Sequence, residues 1–205
     1  MLDLILDTST DQCFVLICEK NTLLASRFFP AKNNLSSTLV PTIQELLEST
    51  TGKIERIFIG IGPGSYTGLR VGVSVANSLA LSLDIPLYSF CSLMAFIPPS
   101  IPEGPFGYVV PSAYSILFLL QGVREKDKIS PHISHRLGEK QDLIPLLMSI
   151  PTLISLDPEK SAKEFPAEIL PPLRGSFHLE FLLSHLSDIS KNPPAPPCIL
   201  YLHSP

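Results

Sequence analysis

The sequence predicts an α/β protein with helices packed on a mixed sheet. Three observations predict it. The first half alternates strand-like and helix-like runs in the order β-β-β-α-β-α-β. A glycine-rich turn joins a buried strand to a helix. Finally, 45% of the 205 residues are hydrophobic against 17% charged, enough apolar chain for one large domain or two small ones.

The elements follow in order. Leu2–Leu6 is a short apolar strand ending in the turn-rich cluster Asp7-Thr8-Ser9-Thr10-Asp11. Cys13–Cys18 and Thr22–Phe29 are two further strands around a tight turn at Glu19-Lys20-Asn21, which makes an antiparallel meander. Leu39, Ile43, Leu46, Leu47 and Thr50 recur at helical spacing over Ser36–Thr50, with Ser36 or Ser37 as N-cap, Pro41 in the first turns and Gly52 as terminator. Thr38, Thr42, Glu45 and Ser49 fall on its opposite face. Arg56–Ile61 is a buried strand, Leu69–Leu83 a helix and Pro86–Phe90 a strand.

The second half is harder to read. A short helix over Cys91–Ile97 leads into Pro98–Pro105, a linker by composition, so the expected domains are 1–97 and 98–205. Beyond it, Gly107–Val110, Ser115–Gln121, Leu153–Leu156 and Cys198–Leu202 are expected strands. Glu139–Ile150 and Ser176–Ile189 are expected helices, the first disturbed by Pro145. Of 21 prolines, only Pro30, Pro41, Pro63 and Pro86 precede residue 98.

Charge narrows the function. The net charge is −4, which argues against a chain that grips nucleic acid alone through phosphate contacts. Between Ile57 and Val123 the charged residues are Arg70, Asp84 and Glu103, so that stretch is in a membrane, buried, or covered by a partner. Mean hydropathy is +0.30, yet Gly, Pro, Ser or Asn interrupts every apolar run, and none reaches the ~18 residues of a membrane span. Asp3 and Asp7 stand where a signal peptide carries basic residues, so the expected location is cytoplasmic. Cys13, Cys18, Cys91 and Cys198 form no CxxC pair or zinc spacing and read as plain reduced thiols.

The segment Gly60-Ile61-Gly62-Pro63-Gly64-Ser65-Tyr66-Thr67-Gly68-Leu69-Arg70 admits two readings. Its glycines permit positive φ or the close approach of another backbone, and Thr67 as N-cap leaves helix amides free for an anion. But Gly68 is followed by Leu69 and Arg70 where a P-loop has Lys-Ser/Thr, and no register gives three glycines at GxGxxG spacing. The other reading is a tight turn on which another segment packs. In the helix that follows, Leu69, Val73, Ala76, Leu79, Ala80 and Leu83 form an apolar face. The other stripe, Arg70, Ser74, Asn77, Ser78 and Leu81, holds one charge. A solvated face carries Lys and Glu, so this stripe is expected to meet a partner.

Ile5-Leu6-Asp7-Thr8-Ser9-Thr10, a helix, and then Gly62-Pro63-Gly64-Ser65-Tyr66-Thr67-Gly68-Leu69-Arg70-Val71-Gly72 resemble the TsaB (YeaZ) family, within the TsaD/glycoprotease-like superfamily. The resemblance covers about Met1–Ile97, and Tyr201-Leu202-His203 is similar to a degraded form of that family's C-terminal Tyr-Leu-Arg. It implies an actin/Hsp70/sugar-kinase-like (ribonuclease H-like) fold of two lobes, the second shortened. It also implies an accessory subunit of bacterial tRNA threonylcarbamoyladenosine synthesis, with no cofactor of its own. The implied partners are the catalytic paralogue TsaD, the ATPase TsaE through the complex, tRNA through the complex only, and a second copy on the same helices. Those helices match Ser36–Thr50 and Leu69–Leu83, which makes Thr38, Thr42, Glu45, Arg70, Ser74, Asn77, Ser78 and Leu81 the expected interface. Two family features are missing: Leu35 stands where a histidine opens the first helix, and Pro111-Ser112-Ala113-Tyr114 where an Asp-Ala-Arg motif opens the second lobe.

The paralogue's metal-binding HxxxH pair has no counterpart in the first helix. His132, His135, His178, His185 and His203 all lie in the second half, the first two as a surface pair in a loop and the next two on one helix face. The expected role is a non-catalytic scaffold without metal. The enzyme alternative is a nucleotide-dependent phosphotransferase or ATPase using Asp7 and the Gly62–Gly68 loop. A metallopeptidase would need the missing histidine pair.

Overall fold

The structure is a computed structural model that describes residues 1–31, 34–111, 116–126, 128–166, 168–169 and 171–197, with the backbone alone at 111, 116, 128, 130–138, 140 and 164. It divides into two compact units, one built on Met1–Ser92 and the other on Leu93–His185, with the described residues from Leu186 onward counted in the first. This division lies five residues before the expected 97/98 boundary, and residues 186–197 fall in the first unit.

The first unit follows the expected order. Strands β1 (Leu2–Asp7), β2 (Gln12–Glu19) and β3 (Thr22–Pro30) form the antiparallel meander. Lys20 and Asn21 take left-handed φ of 47° and 65° in its hairpin, the geometry that matches the strands' twist. Helix α1 (Leu35–Glu48), β4 (Ile54–Gly60), α2 (Tyr66–Leu83) and β5 (Leu87–Phe90) complete a sheet of order β3-β2-β1-β4-β5. β4 runs parallel to β1 and β5 parallel to β4. Every residue of β1 is buried, and Leu2, Leu4 and Leu6 join Val15, Ile17, Ile57 and Ile59 under Leu39, Ile43, Val73, Ala76 and Ala80 of the helices. At the edge, β3 bulges opposite Ile17/Cys18, which blunts it against pairing with another strand.

The helix ends differ in detail from the sequence reading. Asn34, with no side-chain bond, precedes α1. Ser37 and Thr38 both donate their hydroxyls to its carbonyl, at 2.9 and 3.0 Å. The helix stops at Ser49, before Thr50 and Gly52. α2 starts three residues early because Ser65, not Thr67, is its cap, accepting from the Gly68 amide at 3.2 Å. Thr42 is 8% exposed. It falls at i+7 from Leu35 and i+3 from Leu39, inside the apolar stripe and not on the outer face expected for it.

The second unit repeats this plan by itself. β6 (Gly104–Pro111), β7 (Ile116–Glu125) and β8 (Lys128–Glu139) form an antiparallel meander. α3 (Lys140–Met148), β9 (Leu153–Ser155), α4 (Pro158–Glu164) and β10 (Leu173–Arg174) follow. The sheet order is β8-β7-β6-β9-β10, with β9 parallel to β6 and β10 parallel to β9. Strand order and senses match the first sheet one for one, so the fold is the two-lobe, ribonuclease H-like class. The second unit keeps all five strands. Its brevity lies in its helices, nine and seven residues against 14 and 18 in the first. Its core joins Val109, Leu117 and Leu119 to Leu143, Leu147, Leu153 and Phe165. The last described element is α5 (Leu179–Ile189).

Three expectations change here. Gly104–Pro105 belongs to β6 and not to the linker. His132 and His135 lie on strand β8 and not in a loop. The expected strand Cys198–Leu202, the Ser112–Tyr114 stretch and Tyr201-Leu202-His203 lie outside the described residues.

Candidate partner-docking site

The two sequence motifs interlock. The turn after β1 lies under the glycine loop, where the Ser65 amide donates to the Ser9 carbonyl at 2.6 Å and the Thr8 hydroxyl to the Gly68 carbonyl at 2.7 Å. A Cβ on Gly64 would stand 2.0 Å from the Ser9 oxygen, and one on Gly68 2.0 Å from the Thr8 oxygen. Glycine is required at both because another backbone occupies that space. The Gly62 amide donates to the Ser92 hydroxyl at 2.8 Å, and the Ser92 amide to the Gly62 carbonyl at 2.9 Å. The Gly62, Ser65 and Gly68 amides are thus used within the fold, which favours the packed turn over the anion cradle.

Asp7 is fully buried. Its Oδ1 accepts from the amide and the hydroxyl of Ser9, both at 2.7 Å, which makes it the turn-former. Its Oδ2 has no hydrogen-bond partner, and Gly60 leaves room for it: a Cβ there would stand 1.7 Å away. Burial pushes the carboxyl above its usual range, while the Ser92 and Ser9 hydroxyls and the Ser9 amide pull it down. A closed, proton-favouring carboxyl is poorly suited to hold Mg²⁺ beside a nucleotide.

The outer sides of α1 and α2 present the other expected site. Thr38, Glu45, Arg70, Ser74, Asn77, Ser78 and Leu81 are exposed, while Thr42 is not. Leu81 is 86% exposed, with Leu83 at 49% and Val40 at 48%. Leu83 therefore leaves the core face where periodicity placed it. Ser78 and Ser82 turn their hydroxyls back onto the carbonyls of Ser74 and Ser78, at 2.8 and 2.6 Å, which leaves a smooth small-residue stripe. The Arg70 guanidinium lies 3.9 Å from the centre of the Tyr66 ring, and Glu45 pairs with Arg27 of β3.

Between the helices runs an apolar groove of about 330 Å³ lined by Val40, Ile43, Gln44, Leu47, Glu48 and Leu79. Val40, Gln44 and Glu48 are not among the residues expected at the interface. Their signal was present: Val40, Gln44 and Leu47 repeat at i, i+4, i+7 beside the buried stripe. Toward the helix starts lies a second cavity of about 240 Å³, lined by Ala31, Leu35, Ser36, Ser65, Thr67, Gly68 and Val71.

His178 precedes α5 and accepts the Phe181 amide at Nδ1, 3.3 Å, so it caps that helix and does not share its face with His185. Cys13 and Cys18 are buried thiols, pushed up by burial to about 12 and about 11. Among the described residues no group of three His, Cys, Asp or Glu side chains could hold a metal ion, and no helix is long and apolar enough to cross a membrane.

The family described as "TsaD: tRNA N6-adenosine threonylcarbamoyltransferase" matches residues 30–115. The chain is 35% identical over 96 residues to the tRNA threonylcarbamoyladenosine biosynthesis protein TsaB of Bacillus subtilis, covering 45% of this chain and 42% of that protein. It is 33% identical over 95 residues to the protein of the same name from Escherichia coli, covering 44% and 40%. The likeness thus spans less than half the length of these curated relatives. Among solved structures, an uncharacterized Pseudomonas aeruginosa protein with similarity to peptidase YEAZ superposes with a TM-score of 0.77 at 16% identity, over 98% of this chain and 99% of that one. YeaZ from Pseudomonas aeruginosa gives 0.75 at 16%, over 95% of each. These two show the fold. The sequence likeness to the TsaB proteins takes in under half of this chain's residues.

Proposed function

We propose that the chain is a non-catalytic subunit in tRNA threonylcarbamoyladenosine biosynthesis that docks the catalytic paralogue TsaD through the outer sides of α1 and α2. The observation that carries this reading is the exposed stripe Arg70, Ser74, Asn77, Ser78 and Leu81, one charge in five positions with a leucine 86% exposed. An 18-residue helix left so on its outer side has the composition of an interface core, depleted in charge. The names of the relatives supply the pathway. TsaE and tRNA join through the assembled complex, a second copy competes for the same helices, and the setting is the cytoplasm. The absence of a histidine from α1, where the paralogue carries its metal-binding pair, supports a subunit without chemistry of its own.

The enzyme alternative rested on Asp7 and the Gly62–Gly68 loop. The loop's space is taken by Ser9 and Thr8, so the packing speaks against it. Co-elution on size exclusion tests the docking reading. The chain should shift into a complex with TsaD of the same organism, and the Ser74→Glu/Asn77→Arg variant should not. Equal elution of the two chains apart and mixed, or a variant that binds like wild type, would sink it.

A further inference from the structure

We infer that the groove between α1 and α2 receives an aliphatic side chain of a partner helix, and that Glu48 at its rim holds a lysine or arginine three or four residues away on that same helix. This rests on the docking reading above and gives the docking a chemistry. The groove itself is apolar: Val40, Ile43, Leu47 and Leu79 form its walls, with Gln44 and Glu48 at the rim.

The charges around it say what else arrives. β3, β4 and β5 all run in the direction of β1. α1 links β3 to β4 and α2 links β4 to β5, so the two helices run parallel to each other and counter to the strands. Their carboxyl ends, the negative ends of both dipoles, therefore lie at the same end of the face. That end carries acids: Glu45 and Glu48 in the last turn of α1, and Asp84 as the C-cap of α2. Neither helix has a basic residue in its last turn. At the opposite, positive end stands Arg70, in the first turns of α2, and neither helix has an acid in its first turn.

Each of these charges sits at the helix end that disfavours it. Glu45 is answered by Arg27. Glu48 accepts only from the neutral Gln44 amide, at 2.8 Å, and neither Glu48 nor Asp84 pairs with a cation among the described residues. An exposed face that sets its acids against its own dipoles is completed by an incoming base. A base bridging to Glu48 beside apolar walls is desolvated and hydrogen-bonded, which makes it stronger than an open surface pair. A second copy fits less well, because Arg70 is the one cation on either helix and would face the two acids Glu48 and Asp84.

Calorimetric titration of the full chain with TsaD tests this, using Glu48→Lys, Val40→Glu and, as a control in the other unit, Glu103→Lys. The expected result is that Glu48→Lys and Val40→Glu each weaken binding tenfold or more and Glu103→Lys stays within twofold. Glu48→Lys should leave the Tm unchanged or raised, since lysine suits a helix carboxyl end. Wild-type affinity should also fall more steeply with added salt than that of Glu48→Gln. Wild type that binds while both groove variants bind equally well overturns the inference and leaves the docking reading standing. Variants that split a homodimer but spare TsaD binding put a second copy in the groove and overturn it too. A wild type that does not bind overturns both.

Discussion

The Thr8 hydroxyl donates to the Gly68 carbonyl at 2.7 Å across 60 residues of chain. That bond joins the turn after the first strand to the first turn of the helix that carries the proposed interface. The glycine loop is thus a clamp on α2, and it sets where Arg70, Ser74 and Asn77 stand. Its glycines serve packing, and through packing the proposed docking face.

Gly64→Ala and Gly68→Ala should each destabilise the chain by about 3 kcal/mol, because the new methyl meets a backbone carbonyl that cannot swing aside. For a chain of this size that is a Tm lower by about 10 °C, readable by calorimetry or circular dichroism.

Ser92→Ala removes the acceptor of the buried Gly62 amide. An unpaired buried donor costs about 1–3 kcal/mol, so this conservative change should shift the urea midpoint down without altering the slope of the transition.

Asp7 gives a pH signature. Its folded carboxyl is raised above the unfolded value of 3.8 by burial. The folded state therefore holds the proton more tightly than the unfolded chain. The stabilisation it contributes is full below pH 3.8 and is lost as pH rises through the folded pKa. Asp7→Asn keeps an Oδ1 for the Ser9 amide and hydroxyl while removing the charge. Its stability relative to wild type should therefore grow as pH rises above 3.8 and level off only above the folded pKa. Urea titrations at several pH values check this, and a constant difference between the two proteins would contradict it.

The thiols should separate by burial. Cys13 and Cys18 are buried and pushed to about 12 and about 11, whereas Cys91 is half-buried. In a Cys198→Ser background, a thiol reagent at pH 8 should label Cys91 first and reach Cys13 and Cys18 on the timescale of unfolding.

The first unit was legible from sequence because its periods are clean. Its β1 is an apolar run closed by a turn cluster, and α1 and α2 carry helical repeats. What escaped was set by partners distant in the chain. Thr42 looks polar but falls at a buried turn of the stripe, and Ser65 outcompetes Thr67 as cap because Ser9 holds its amide. In the second unit β8 went unseen because Pro131 and scattered polar residues mask its alternation; pairing with β7 makes it a strand. α4 has too little apolar sequence for periodicity, and its signal was the cap, where Asp157 accepts the Lys160 amide at 3.0 Å before Pro158. Pro105 could enter β6 because it stands at the start of the strand, before the Gly107–Tyr108 pairing with β9 begins. Of the site, the α2 stripe was legible as missing charge. The groove was not, since it exists only where two helices meet.

The proposed docking face for the catalytic paralogue TsaD is formed by α1 and α2. Hydrogen–deuterium exchange of the full chain, alone and with TsaD added, tests it most directly. Docking there should slow exchange over residues 36–48 and 66–83 in the presence of TsaD, with β7 and β9 unchanged. Protection confined to other segments, or none at saturating TsaD, would contradict it.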